Sequence, residues 1–391
     1  LISNYRTRIV SSLSEIGATA WDALIAVQDA AHPGGTSLGR TNPFLSFAFL
    51  DALHETGCAS ADTGWQPHYL TLWRDKQLEA ALPLYLKSHS YGEYVFDWAW
   101  ADAYRRHGYV YYPKLLSAIP FTPVTGSRLL ARDTASTAAL IKALTHLQQT
   151  ADVSSTHILY PPQEQAELLQ RAGFLLRTGV QFHWENRGYA SFDEFLSTLD
   201  QKKRKNIRAE RRKVRDANVI FRHVPGTEAD DADWRFFKRC YDNTYAAHYS
   251  TPYLNLPFFL RIGKTMPENL LLVVAERDGR PIASSLLVHT ADTLYGRYWG
   301  AIDDVPCLHF ETAYYQPLEF CIARGIATFE GGAQGEHKMA RGFLPQKTWS
   351  AHWLAYPAFA DAVERYLQQE AGGIDAYIDE LTERSPFRRP V

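Results

Sequence analysis

The chain has 391 residues, 46% of them hydrophobic, which is enough for two domains with full cores. Its formal charge is -2, so no global field argues for nucleic acid or a membrane surface. No apolar run approaches the ~20 residues that span a bilayer, and residues 1–13 lack a signal-peptide core.

A strand is expected at 8–10 and a helix at 19–31. Residues 32–41 form a glycine-rich loop, and Pro43 opens a helix to Glu55 with Asn42 as its cap. Strands follow at 67–73 and 77–86, joined by a tight turn at 74–76. Residues 91–112 read as aromatic and irregular, and 113–128 as a proline-punctuated loop. Helices at 134–151 and 162–172 bracket a strand at 156–160. Strands at 174–177 and 181–185 close the first half, with a boundary at 186–190. Helices at 192–199, 202–216 and 229–247 open the second half. Strands at 269–277, 280–289 and 294–300 then make a meander, with Asp278 and Gly279 as a hairpin turn. Phe310, Tyr314, Leu318, Cys321 and Ile322 fall at helical spacing, Gly325 stops that helix, and 326–330 is a strand. A strand at 349–354 leads into a helix near 357–370. Both halves run as helices, antiparallel strands, helix, strand, so the expected fold is α+β, with two copies of one unit at 1–188 and 189–391.

Cys58, Cys240, Cys307 and Cys321 show neither CxxC nor zinc spacing, which reads as a reduced, cytoplasmic protein. The 14 His are scattered singly, so no metal site is expected. His309–Phe310–Glu311 has the H-x-E of zinc deaminases without the downstream P-C-x-x-C, and that reading is rejected. Glu311 either faces a site or is structural. The chain does not begin with Met, so its true start is expected upstream.

The stretch GGAQGEHKMAR at 331–341 leaves a strand end at Glu330 and carries the densest chemistry. Its glycines permit positive φ and close ligand approach. Glu336 or His337 is expected to take a proton from an attacking amine, with Glu330 behind them. Lys338 and Arg341 are expected to neutralise an anionic group of the substrate or a developing oxyanion. The strand at 294–300 offers a backbone N–H to that oxyanion, and Tyr298 or Tyr295 a proton to the leaving group. No cysteine sits in a covalent-nucleophile setting, which favours direct transfer. A plain surface turn is the competing reading.

The run KKRKNIRAERRKVR at 202–215 puts a cationic helix beside a thin stripe of Leu196, Leu199, Ile207 and Val214. It is either a solvated face or a polyanion site using Lys203, Arg204 and Arg208. The polyanion would be tRNA, a nucleotide-linked precursor or an anionic lipid. Trp98, Trp100 and Tyr245 belong to aromatic clusters that serve either as core or as a face for a sugar or peptide.

Three segments, NPFLSFAFLDALHETG at 42–57, YYPKLLSAIPFTPVTGSRLL at 111–130 and FEGGAQGEHKMARGFLP at 329–345, resemble the bacterial FemAB-like family of peptidoglycan biosynthesis and recognition. The resemblance covers nearly the whole chain. It implies two tandem GNAT-like (acyl-CoA N-acyltransferase) domains, each a mostly antiparallel mixed sheet flanked by helices. It implies an acyl or aminoacyl transferase acting on an amine, with acyl-CoA or aminoacyl-tRNA as donor substrate and no permanently bound cofactor. An aminoacyl-tRNA-dependent transferase acting on a cell-wall precursor or peptide, and a non-catalytic recognition module, are the alternatives. CoA enzymes of that fold hold pyrophosphate in an R/Q-x-x-G-x-G/A loop. Here Arg297 and Gly300 fit, Ile302 does not, and Asp303 and Asp304 bring negative charge to the phosphates. Pro317 interrupts the expected helix and frees the carbonyl of Ala313.

Overall fold

A computed structural model describes residues 5–30, 42–333 and 335–388. The glycine-rich loop at 32–41 and Gln334 lie outside the described residues. The chain divides into two compact units: Leu1–Val180 with Lys347–Tyr377, and Gln181–Gln346 with Ile378–Val391.

Unit 1 runs β1 (Arg6–Val10), α1 (Ala18–Ala30), α2 (Phe47–Glu55), β2 (Trp65–Pro67), β3 (Tyr69–Arg74), β4 (Gln77–Leu82), β5 (Tyr85–Lys87), α3 (Trp98–Arg106), β6 (Lys114–Ser117), β7 (Leu130–Ala131), α4 (Thr134–Thr150), β8 (Ser155–Leu159) and α5 (Gln163–Arg171). One sheet has the order β1-β3-β4-β7. In the other, β2-β5-β6-β8, the pair β6–β8 is parallel. Leu70, Leu82, Leu115, Leu140 and Ile158 meet in the core of this unit. Asn42 does cap a turn, but the turn is a 3-10 one over Pro43–Leu45, and Ser46 recaps the chain as α2 begins. α3 lies inside the segment read as irregular, and buries Trp100 and Tyr104 at i, i+4 spacing.

β9 (Leu175–Glu185) is one continuous strand, and Gln181 onward belongs to unit 2. Unit 2 continues with α6 (Phe192–Thr198), α7 (Gln201–Asp216), β10 (Val219–Pro225), α8 (Asp231–Ala247), α9 (Leu256–Thr265), β11 (Leu270–Arg277), β12 (Arg280–His289) and β13 (Thr293–Ala301). α10 (Leu308–Phe310), a π turn (Glu311–Tyr315) and α11 (Gln316–Arg324) form one helical run, followed by β14 (Thr328–Glu330). Its strand order is β10-β11-β12-β13-β14-β9, and only β13–β14 is parallel among the pairs described. Asp278 (φ 53) and Gly279 (φ 72) make the tight hairpin between β11 and β12. Gly325 ends α11 in the left-handed conformation.

β15 (Leu344–Leu354) and α12 (Pro357–Glu383) complete the chain. They explain why one cut after residue 188 does not divide it. Ser350–Leu354 pair with β8, and Val363 and Leu367 of α12 pack on Trp100, Tyr104 and Tyr111. Hydrogen-bond pairing and apolar burial thus draw residues 347–377 into unit 1. In each unit the connection between the parallel strands carries a helix, α4 (after β7) between β6 and β8 and α10 to α11 between β13 and β14, so the repeated α+β order expected from sequence is present.

Candidate active site

The site in unit 2 is built by three local irregularities. The first lies in β13. Leu287 faces Gly296 and Leu286 faces Tyr298, so Arg297 is the extra residue of a β-bulge. Beyond Tyr295 the pairing of β13 with β14 stops. The bulge therefore sits where the parallel strands part company.

The second irregularity is the π turn. Pro317 has no N–H to give, and the helix adapts one turn earlier: the N–H of Gln316 donates to the carbonyl of Glu311, five residues back. The wider turn carries Glu311, Tyr314 and Tyr315 inward, all buried. Glu311 accepts from Arg211 Nη2 at 2.9 Å and Gln316 Nε2 at 2.8 Å. Burial pushes its carboxyl upward, and Arg211 opposes this. The Tyr315 hydroxyl donates to Glu210.

The third is the glycine turn after β14. Gly332 (φ 84) and Gly335 (φ 121) adopt backbone conformations that side chains resist. A Cβ on Gly332 would lie 3.4 Å from the Gly296 carbonyl, so this turn abuts β13 at its bulge. A 3-10 turn, Glu336–Arg341, follows. Lys338 folds back, buried, and donates to the Gly332 carbonyl at 3.0 Å. Arg341 is buried too. It donates to the His337 carbonyl at 2.8 Å and to Glu210 at 2.9 Å, and lies 3.5 Å over the Phe310 ring. The His337 ring stays exposed but shares a hydrogen bond of 3.2 Å between Nε2 and the buried Tyr314 hydroxyl. His309 stands behind it, stacked on Trp299 at 4.5 Å.

Electrostatics sort these groups. Burial lowers the His337 pKa, and Arg341 and Lys338 lower it further, so the imidazole is neutral at neutral pH. Burial lowers Lys338 to about 8 and lifts Tyr314 to about 12. Glu330, fully enclosed opposite His183 and Tyr295, is lifted by burial to about 8 despite the opposing charge of Arg297. At pH 7 it is a neutral carboxylic acid, suited to donating a hydrogen bond and unsuited to accepting a proton from an amine.

The other residues singled out from sequence lie elsewhere. Glu336 is exposed, 3.9 Å from Arg384. Tyr298, past the bulge, packs edge-on to Tyr241, whose ring also meets Tyr245. In unit 1, Trp100 is a core residue, and Trp98 is exposed beside Tyr91. On α7, Leu196 and Leu199 prove to belong to α6 and its cap, while Ile207 and Val214 are buried. Arg211 and Glu210 share their face. Arg204 reaches the Ser197 carbonyl at 3.4 Å, Arg208 pairs with Asp193 at 3.3 Å, and Lys203 is half-buried. Gly300 lies near the end of β13, where a Cβ would stand 1.9 Å from the Cys240 carbonyl of α8. Asp303 is taken by Arg277 at 2.7 Å. Tyr314 and Arg211 were not anticipated as functional. In sequence one was a member of an apolar stripe and the other one cation among many.

A family model described as peptidoglycan biosynthesis/recognition, FemAB-like, matches residues 12–389. No curated protein matches the chain. Among solved structures, FemX is similar at 12% identity with a TM-score of 0.53, covering 92% of this chain and 100% of its own. A tandem GNAT protein from the clavulanic acid biosynthesis pathway is similar at 13% identity and TM-score 0.46, with 90% and 99% covered. L-PGS from Bacillus licheniformis is similar at 12% identity and TM-score 0.45, with 65% and 82% covered. At these identities the FemX likeness speaks for the fold, a tandem GNAT-like α+β architecture. Among the described residues no helix is long and apolar enough to cross a membrane.

Proposed function

The chain belongs to the FemAB-like family, and from that premise we propose that it transfers an acyl or aminoacyl group to an amine, with unit 2 as the catalytic unit. The observation that carries the reading is the His337–Tyr314 pair: a neutral imidazole, reachable from solvent, oriented by a buried hydroxyl. With Nε2–H directed at the Tyr314 oxygen, the Nδ1 lone pair is free to receive the amine proton. The amine nitrogen attacks the donor carbonyl, and we assign the developing oxyanion to the side of the site that the β13 bulge lines. The C–N bond forms as the carbonyl's bond to the carrier breaks. The proton held on His337 then passes to the carrier's departing sulfur or oxygen. Lys338 and Arg341 supply positive charge, and Glu330 a neutral donor. Acyl-CoA and aminoacyl-tRNA are the two donor classes, a cell-wall peptide precursor is the acceptor class, and the cytoplasm is the compartment.

The test incubates the full chain with each donor and with peptide amines, and reads acceptor mass. Transfer should appear with one donor. His337→Ala should lower turnover about 100-fold or more with an unchanged melting temperature, and Tyr314→Phe about tenfold. Equal turnover in His337→Ala would remove this imidazole from the chemistry. No transfer with either donor class would favour a recognition module.

A further inference from the structure

α7, α6, β10, the π turn and α11 of unit 2 line a cavity of about 530 Å³, open to solvent and within the size range of small-molecule sites. Four arginines of α7 line it: Arg208, Arg211, Arg212 and Arg215. They are not equivalent. Arg211 is committed to Glu311 and to Glu319, the latter at 2.8 Å, and Arg208 to Asp193. Three carboxylates of the lining are thus answered. The side chains of Arg212 and Arg215, one turn apart and exposed, have no ion-pair or hydrogen-bond partner among the described residues. The opposite surfaces are apolar: Phe192 and Leu196 from α6, Val219 and Phe221 from β10. Arg211 lies 4.6 Å over the Phe192 ring and covers that face, so Phe221 is the aromatic wall left open to the cavity.

We propose that this cavity binds a nucleoside phosphate, its phosphates on Arg212 and Arg215 and its base against the β10 wall of Val219 and Phe221. Guanidinium pairs hold phosphate oxygens through forked, charge-assisted hydrogen bonds, and aromatic walls hold a planar ring. The cavity also has a physical link to the active site. Arg211 braces its wall through Glu311, while its chain neighbour Glu210 holds Arg341 and Tyr315. The inference rests on the transferase reading only for its purpose, which is to hold the carrier end of the donor. The binding itself requires no transfer.

Calorimetry on the full chain tests it with ADP, adenosine and pyrophosphate as probes. ADP should bind more tightly than either fragment, and Arg212→Gln with Arg215→Gln should weaken it about tenfold or more. Lys213→Gln, an exposed cation of α7 outside the lining, should leave ADP binding unchanged. Arg212→Lys with Arg215→Lys, which keeps charge but loses the fork, should give an intermediate loss, and circular dichroism confirms that each variant is folded. ADP binding equal in the Gln variant, equal affinity for pyrophosphate and ADP, or no ADP binding at millimolar concentration each overturns the proposal. Because the readout is binding alone, its failure is separate from failure of transfer. Acetyl-CoA and a short RNA ending in adenosine, titrated the same way, distinguish the two sources of such a group.

Discussion

Glu330 is the most informative residue to perturb, because its environment predicts both a sign and a size. It is enclosed at the end of β14, and burial lifts its carboxyl from 4.5 to about 8. A group raised in the folded state contributes fully below its unfolded value and loses that contribution as pH rises through the folded one. The window here is therefore pH 4.5 to 8, and stability falls across it. At about 1.4 kcal/mol per tenfold, the whole window is worth about 5 kcal/mol, of which about 3 kcal/mol is lost between pH 5 and 7.5. Glu330→Gln keeps the size and neutrality of the protonated form and titrates nowhere. Urea unfolding of both proteins, followed by tryptophan fluorescence at pH 5 and 7.5, should show the variant gaining on the native chain by about that 3 kcal/mol. Turnover at pH 7 should fall less than tenfold, since the native group is already protonated there. A stability gap that is constant with pH would refute the reasoning. It would mean that the Glu330 carboxyl titrates in the folded protein as it does in the unfolded chain, and is ionised at pH 7.

Three further outcomes follow from particular contacts. Turnover should rise with pH through a value below 6.5, as His337 loses its proton, and decline around 8 as Lys338 loses its charge; a flat profile from pH 5 to 9 would contradict both assignments. Arg211→Ala strands the buried Glu311 carboxylate and should destabilise by about 3 kcal/mol in chemical denaturation, whereas Lys205→Ala on the exposed side should change stability by less than about 0.5 kcal/mol. Gly300→Ala drives a methyl into the Cys240 carbonyl and should lower the melting temperature by about 5 °C or more; a neutral result would show that α8 does not press on β13 there.

Much of unit 2 was legible because its signals are local. Asp278–Gly279, Gly325 and the apolar spacing from Phe310 to Ile322 each act within one turn of chain, and each gave its element within a few residues. Pro317 announced a disturbed helix, though not that the adjustment would be a π turn at Glu311–Tyr315. Other features depend on partners far along the chain. Arg211 reads as one more cation until Glu311 and Glu319 come into reach, 100 and 108 residues away. Tyr314 fits an apolar stripe equally well with or without a hydrogen bond to His337. α3 was missed because its apolar period is masked by aromatic neighbours on both sides: only Trp100 and Tyr104, at i, i+4 spacing, are buried, and the core that receives them is not local in sequence. The extent of unit 1 was missed because β15 pairs with β8 from almost two hundred residues away.

The way α7 is seated bears on how such a protein changes over time. Four positions, Ile207, Glu210, Arg211 and Val214, fix the helix to its unit through two buried side chains and two ion-pair systems. The remaining face carries Lys205, Arg208, Arg212 and Arg215 at intervals of three, four and three residues, and solvent reaches all of them. Substitutions on that face leave the seat intact. The charge pattern of that face can therefore drift by single replacements that cost almost no stability, each one open to selection without a compensating change in the core.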